Sequence, residues 1–263
     1  PPVVLDVRWR LGDDTGPARY AAGHVPGAVR VDLDAELASP PSPAEGRHPL
    51  PPLGALQAAA RRWGISQRSR VVVYDDSNGL SAARAWWLLR WTGLADVRLL
   101  DGGLAAWERA GLPLATGAEP DPAPGDVVLR PDPTALLSAD EAARLPGHGT
   151  LLDARAAERY AGEVEPIDPR AGHVPGALSA PTTGNLRDDG TFLTPGELRE
   201  RFAALGVEPA RGPVGVYCGS GVNAAHAIAA LALAGIPARL YAGSWSQWSS
   251  DPARPVAVGP EPG

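Results

Sequence analysis

Cys218 is the single cysteine of this chain and stands in V-G-V-Y-C-G-S-G-V-N-A, between an apolar run ending at Tyr217 and an alanine-rich segment. A sulfur so placed can act as a nucleophile. A strand ending at Tyr217 and a helix beginning near Asn223 leave a short loop whose successive N–H groups can turn toward the sulfur. Gly219 and Gly221 permit the backbone angles and close approach of such a cradle, because neither carries a Cβ. A cradle of amides at a helix start favours anions, and the thiolate is the form of cysteine that attacks. A free cysteine is otherwise most often an inert part of an apolar core. Two glycines beside Cys218 argue for chemistry instead.

The neighbouring residues narrow that chemistry. Neither G-x-S-x-G nor G-x-x-x-x-G-K-S/T surrounds Cys218, which argues against a serine-hydrolase elbow and a phosphate loop. A cysteine phosphatase needs C-x-x-x-x-x-R to hold phosphate oxygens, and the count from Cys218 puts Ala224 at the arginine position. No close Cys/His set supplies the ligands of a zinc site, and no cofactor is expected. A lone cysteine forms no internal disulfide, and without a second one the chain cannot resolve a persulfide by itself. An exposed reactive thiol suits a reducing compartment.

Composition agrees with a soluble globular protein. The 263 residues are 44% hydrophobic, enough for one large core or two ordinary ones. A formal net charge of -6 argues against a nucleic-acid or anionic-membrane surface. No apolar run reaches about 18 residues, and the start of the chain lacks the basic stretch and apolar core of a signal peptide. Cytoplasm is the expected location. All 24 basic residues are arginines and methionine is absent, which reads as genomic composition bias. The missing initiator methionine suggests that the sequence begins inside a longer translation product.

The elements that must position Cys218 occur twice. V-V-L-D-V-R at Val3 to Arg8 is followed by R-Y-A-A-G-H-V-P-G-A at Arg19 to Ala28. L-L-D-A-R at Leu151 to Arg155, R-Y-A-G at Arg159 to Gly162 and A-G-H-V-P-G-A at Ala171 to Ala177 return in the same order. The offset of 149 residues between His24 and His173 indicates a duplicated domain and not a many-copy solenoid. V-V-V-Y at Val71 to Tyr74 precedes a helix expected over Leu80 to Arg90, matching V-G-V-Y at Val214 to Tyr217 and a helix expected over Asn223 to Ala234. D-G-G-L-A-A-W and Y-A-G-S-W-S-Q-W close the two copies. β-rich runs alternating with helical ones predict an α/β fold, each copy a mostly parallel central sheet flanked by helices.

Proline-rich sequence between Pro113 and Pro133 reads as the interdomain connection. The expected division is residues 1–120, a linker over 121–133, and residues 134–263. Pro40 to Pro52 is a second proline-rich loop, a candidate arm over a site. Ser138 and Glu141 predict a capping box on a helix running to Leu145. The first copy lacks that helix, which is expected upstream of Pro1. Where the second copy has Tyr217-Cys218, the first has Tyr74-Asp75, so only the second keeps a thiol and the first is expected to be noncatalytic. The duplicated His24 and His173 are expected to share a structural hydrogen bond.

In this order, D-V-R and D-A-R, the two G-H-V-P-G-A strings, C-G-S-G-V-N-A and Y-A-G-S-W-S-Q-W make nearly the whole chain resemble the tandem-domain rhodanese-type sulfurtransferases, most closely those acting on 3-mercaptopyruvate. The resemblance implies two rhodanese-like domains and transfer of sulfane sulfur from 3-mercaptopyruvate through a Cys218 persulfide to a thiol acceptor such as thioredoxin, or to cyanide, with release of pyruvate. The family loop is usually C-G-S-G-V-T-A, and Asn223 stands where threonine is usual. Thiosulfate enzymes of the family carry an arginine-lysine pair after the cysteine, where this chain has Gly219-Ser220. A neutral loop leaves less charge to hold a dianion, which favours mercaptopyruvate over thiosulfate.

The same resemblance implies the remaining site residues. Arg159 and Arg170 match the substrate-gripping arginines, Arg170 beyond a longer E-P-I-D-P-R loop than usual. Guanidinium groups suit that task because their fixed donors bind a carboxylate bidentately. Ser220, His48 in R-H-P-L-P and Asp34 in D-x-D form the implied proton-handling triad. Gly219, Gly221, Val222 and Asn223 complete the implied substrate-binding loop. Thiosulfate:cyanide sulfur transfer is the alternative activity, and a noncatalytic persulfide-sensing or protein-binding module is the alternative of a different class.

Overall fold

Two valine-rich runs ending in tyrosine, Val71–Tyr74 and Val214–Tyr217, each become an inner strand of a parallel sheet. The computed structural model describes the backbone of residues 1–263 and every side chain but that of Pro209. It groups the chain into two compact units. One comprises Pro1–Ser39, Leu50–Asp132 and Asp188–Thr191, and the other Pro40–Pro49, Pro133–Arg187 and Phe192–Gly263. The proline-rich segment Pro40–Pro49 therefore packs with the second unit, although the chain on either side of it belongs to the first.

In the first unit the order is β1 (Val3–Asp6), α1 (Gly16–Ala22), β2 (Ala28–Arg30), α2 (Leu33–Glu36), α3 (Leu53–Arg62), β3 (Val71–Tyr74), α4 (Ala82–Trp91), β4 (Val97–Leu99) and α5 (Gly103–Arg109). The strands lie in the order β2-β1-β3-β4, all parallel. The second unit runs α6 (Ala139–Arg144), β5 (Thr150–Asp153), α7 (Ala157–Ala161), β6 (Leu178–Ser179), α8 (Pro195–Ala204), β7 (Val214–Tyr217), α9 (Val222–Leu233), β8 (Ala238–Leu240) and α10 (Ser244–Ser250). Its sheet repeats the pattern as β6-β5-β7-β8, again parallel. The α/β fold expected from the alternating runs is thus present in both copies.

Every residue of β5 and β7 is buried, as strands covered on both faces by helices must be. α9 is buried on almost all sides, which explains why its sequence is alanine-rich without a polar stripe. The expected capping box is formed: Ser138 Oγ accepts from the Glu141 N–H while Glu141 accepts from the Ser138 N–H. Thr194 and Glu197 build a second one, with Pro195 supplying a preset first helical residue of α8.

The duplicated strings do the same work in each unit. Arg8 clamps Asp6 and donates to the carbonyl of Gly23 at 2.8 Å; Arg155 clamps Asp153 and donates to that of Gly172 at 2.6 Å. These pairs are buried, so losing one partner would strand the other charge at a cost of about 3–5 kcal/mol. His24 and His173 each place Nδ1 2.8 Å from a tyrosine carbonyl, of Tyr20 and Tyr160, and stack on the same tyrosine's ring. The tyrosine hydroxyls donate to the carbonyls of Ala28 and Ala177. The two histidines are staples of the turn after α1 and α7, as their duplication suggests.

Candidate active site

Strand β7 delivers Cys218 at its C-terminal end, and α9 starts four residues later. Gly221 turns the chain between them with φ +79, and a Cβ there would come within 2.5 Å of the Ala242 carbonyl oxygen, so both angle and space require glycine. That turn aims the Gly221 N–H at the Cys218 sulfur, at 3.1 Å. The sulfur is buried, with the residue 3% exposed. An N–H directed at Sγ stabilises negative charge on it, the electrostatic task of an anion cradle.

The loop is held by the C-terminal Y-A-G-S-W-S-Q-W segment. Ser244 Oγ accepts from the Cys218 N–H at 3.1 Å and donates to the Tyr241 carbonyl at 2.9 Å. The N–H groups of Trp245 and Ser246 donate to the carbonyls of Cys218 and Gly219, both at 2.9 Å. Ser244 adopts φ +53, a left-handed conformation that costs a non-glycine residue about 1–2 kcal/mol. Trp245 and Trp248 anchor the segment in the core with Tyr217 and Tyr241, and the Arg155 guanidinium lies over the Trp245 ring at 4.6 Å.

The segment Pro40–Pro49 docks onto the same C-terminal segment. Gln247 donates to the Ala44 carbonyl at 2.6 Å, and Ser246 Oγ accepts from the Arg47 N–H at 3.1 Å. Gly46, at φ +93, passes so close that a Cβ would lie 2.6 Å from the Gly243 carbonyl oxygen. This docking brings His48 to Ser220: His48 Nδ1 and Ser220 Oγ are 2.8 Å apart and buried.

Two guanidinium groups bracket the residue after the nucleophile. A Cβ on Gly219 would lie 2.9 Å from Arg47 Nη2 and 3.5 Å from Arg159 Nη1. Both arginines hold the same carboxylate, Asp168, through Oδ1 for Arg47 and through Oδ2 at 3.2 Å for Arg159. Arg159 also binds Glu165 at 2.6 Å, and Glu165 in turn meets Arg155. Burial pushes the Asp168 carboxyl up, with Glu165 adding repulsion, against the pull of Arg47 and Arg159.

Of the residues expected from the sequence, the second unit brings together Cys218, Gly219, Ser220, Gly221, His48 and Arg159. Val222 and Asn223 open α9, Val222 buried and Asn223 half-buried. Asp34 lies in α2 of the first unit, where its carboxylate accepts the Trp9 indole N–H at 2.8 Å. Arg170 differs from expectation. Its guanidinium donates to four carbonyls, those of Ser249, Arg254, Trp248 and Asp251, at 2.5–2.9 Å. It caps the chain leaving α10, with four hydrogen bonds of its guanidinium going to backbone carbonyls. Sequence reasoning missed Arg47, Asp168 and Ser244. The available signal was adjacency: Arg47 precedes His48, Asp168 lies within E-P-I-D-P-R, and Ser244 follows Gly243 in the closing motif.

The corresponding loop of the first unit is closed by its own side chain. Asp75 accepts four backbone N–H groups, from Ser77, Gly79, Ser81 and Ala82, each at 2.8 Å. A built-in carboxylate takes up the loop N–H groups here, where the second unit directs the Gly221 N–H at sulfur.

Comparison with known proteins agrees with this architecture. The family model for the rhodanese-like domain matches residues 1–110 and again 138–251. A Pseudomonas aeruginosa protein named "Probable 3-mercaptopyruvate sulfurtransferase" is 52% identical over 263 residues, spanning 98% of this chain and 92% of its own. A Mycobacterium tuberculosis protein named "Putative thiosulfate sulfurtransferase SseB" is 51% identical over 262 residues, with the same coverage of 98% and 92%. Among solved structures, the 3-mercaptopyruvate sulfotransferase SseA of Escherichia coli superposes with a TM-score of 0.81 at 36% identity, covering 92% of each chain.

Proposed function

The chain belongs to the rhodanese-like family, and on that premise we propose that it is a sulfurtransferase that takes sulfane sulfur from 3-mercaptopyruvate onto Cys218, releases pyruvate, and passes the sulfur to a thiol acceptor such as thioredoxin, or to cyanide. The observation that carries this reading is the buried Cys218 sulfur receiving the Gly221 N–H beside a Ser220–His48 pair and the Arg159 guanidinium.

The Cys218 thiolate attacks the substrate sulfur. A sulfur–sulfur bond forms, the substrate carbon–sulfur bond breaks, and its electron pair leaves on carbon as the enolate of pyruvate. The proton lost from the substrate thiol ends on that carbon, so the step needs a group that moves a proton. Ser220 Oγ, 2.8 Å from His48 Nδ1, is suited to relay it. Arg159 holds the substrate carboxylate. In the second half-reaction the acceptor thiolate attacks the outer sulfur, breaks the sulfur–sulfur bond and restores the Cys218 thiolate; cyanide leaves as thiocyanate.

Charge balance favours a monocarboxylate donor. The Gly219-Ser220-Gly221 loop is neutral, and the Arg47 and Arg159 charges beside it are matched by Asp168 and Glu165. The site offers directed donors with little excess positive charge, which suits one carboxylate better than a dianion. The Mycobacterium tuberculosis relative's name keeps thiosulfate as the second reading. Pyruvate release from 3-mercaptopyruvate, compared with sulfur transfer from thiosulfate to the same acceptor at several pH values, separates the two. Preference for 3-mercaptopyruvate that vanishes in Cys218→Ser supports the assignment. Preference for thiosulfate overturns the charge argument, and inactivity with both favours a binding module.

A further inference from the structure

We propose that the first unit holds a second carboxylate-binding site, closed from within: Asp76 occupies on Arg19 the place that the sulfur donor's carboxylate takes on Arg159. Once Asp76 is removed, the ligand is a short carboxylate such as pyruvate. The proposal rests on the functional reading above only for the role of Arg159.

The two loops share one frame. The Leu104 N–H donates to the Asp75 carbonyl at 2.8 Å, as the Trp245 N–H donates to that of Cys218 at 2.9 Å. Gly103 and Ser244, the residues just before these donors, both take left-handed angles, φ +58 and φ +53. Asn78, three residues past Asp75, takes φ +58, and Gly221, three past Cys218, takes φ +79. Asparagine is one of the few residues besides glycine that visit this region readily. Strand β3 therefore presents positions 75 and 76 as β7 presents 218 and 219.

That correspondence fixes what each side chain meets. Arg19 and Arg159 each open the repeated R-Y-A string. A Cβ on Gly219 would point at the Arg159 guanidinium, 3.5 Å from Nη1. Asp76 stands at the matching position with a real side chain, and its Oδ2 accepts from Arg19 Nη1, with Arg10 Nη2 at 3.4 Å. Arg8 sets the Arg19 backbone by donating to its carbonyl at 3.0 Å. Asp75 meanwhile takes the N–H groups of Ser77, Gly79, Ser81 and Ala82. Two internal carboxylates thus stand where the second unit has its sulfur and receives its donor.

Asp76 is an imperfect ligand. Its Oδ1 is buried and accepts no hydrogen bond within the protein, whereas a free carboxylate can turn both oxygens toward a guanidinium fork. A buried acceptor without a donor is costly, so an external carboxylate has something to gain over the built-in one. The Arg10 side chain is 56% exposed, which leaves the ion pair within reach of solvent. Replacing Asp75 alone leaves Arg19 blocked by Asp76.

The test moves the chain's one thiol into the first unit with Cys218→Ser and Asp75→Cys, and follows its alkylation by neutral iodoacetamide as pyruvate is added. With Asp76 present, weak protection is expected. Adding Asp76→Gly is expected to lower the half-protecting pyruvate concentration about tenfold, and adding Arg19→Gln to that chain is expected to restore weak protection. An unchanged concentration in folded Asp76→Gly, or a lowered one that survives Arg19→Gln, overturns the proposal. If either the Asp75→Cys or the Asp76→Gly chain fails to fold, Asp76→Ala in the otherwise unchanged protein decides: pyruvate is expected to raise its Tm more than that of wild type, and an equal rise overturns the proposal. Absence of pyruvate release from 3-mercaptopyruvate by the unmodified protein contradicts the functional reading instead, and protection in the first unit still decides the role of Asp76.

Discussion

His48 Nδ1 lies 2.8 Å from Ser220 Oγ across 172 residues of sequence, and both side chains are buried beside Cys218. Nothing local holds these residues together. The pair exists because Pro40–Pro49 packs with the second unit and is hydrogen-bonded to Ser246 and Gln247 of α10.

If the pair moves the proton from sulfur to carbon, His48→Ala lowers kcat for pyruvate release by about 10²-fold or more. Ser220→Ala is expected to cost a similar factor, and the double variant little beyond either, because the two act as a unit. Steady-state rates between about pH 6 and about pH 9 check this. Normal turnover by His48→Ala over that range would remove His48 from the mechanism.

Gly46→Ala tests the docking itself. The substitution sets a Cβ against the Gly243 carbonyl at a positive φ, with a strain of about 1–3 kcal/mol. The expected result is a fall in 3-mercaptopyruvate turnover while iodoacetamide still alkylates Cys218, since the displaced segment carries His48 and Arg47 and not the sulfur. Rates for both reactions in one preparation provide the check.

Arg170→Gln should act on stability. Removing a guanidinium that donates to four carbonyls is expected to cost roughly 2–4 kcal/mol, or a fall in Tm of about 5–15 °C. The rate of Cys218 alkylation by iodoacetate, a carboxylate, divided by that with the neutral iodoacetamide, is expected to stay at its wild-type value. Calorimetry and alkylation kinetics together separate this outcome from loss of a substrate contact.

Glu141 gives a pH signature. Hydrogen bonds from Ser138, then from Arg239, lower its carboxyl from 4.5 to about 2. A lowered carboxyl stabilises the fold above its unfolded value and loses that contribution as pH falls from 4.5 toward about 2. Because the group is solvent-exposed, screening limits the effect to about 0.5–1 kcal/mol. Thermal melts of Glu141→Gln should lie slightly below wild type at neutral pH and converge with it near the acid end of that window.

Much of this arrangement is legible in the sequence because it is written in contiguous strings. The Val-rich runs that precede Asp75 and Cys218 become inner strands, and G-H-V-P-G-A names the same histidine-tyrosine staple twice. The loop glycines announce the turn at Cys218. What escapes a linear reading is where long side chains end. Arg170 lies at the end of a loop that the family resemblance assigns to substrate binding, yet its guanidinium reaches the carbonyls of α10. Arg47 sits in a proline-rich stretch with no periodicity, so nothing in its spacing tells which sheet it serves. Ser244 is recognisable as part of a closing motif, but its hold on the Cys218 N–H depends on a left-handed backbone that no propensity suggests for serine.

The central claim is that Cys218 carries the sulfur of 3-mercaptopyruvate. Mixing the protein with that donor alone, then measuring the mass of the chain and the pyruvate released, tests it most directly. The expected result is one added sulfur atom, mapped to Cys218, with one pyruvate per chain, and neither in Cys218→Ser. Pyruvate without sulfur on Cys218, or sulfur acquired only from thiosulfate, would contradict the account.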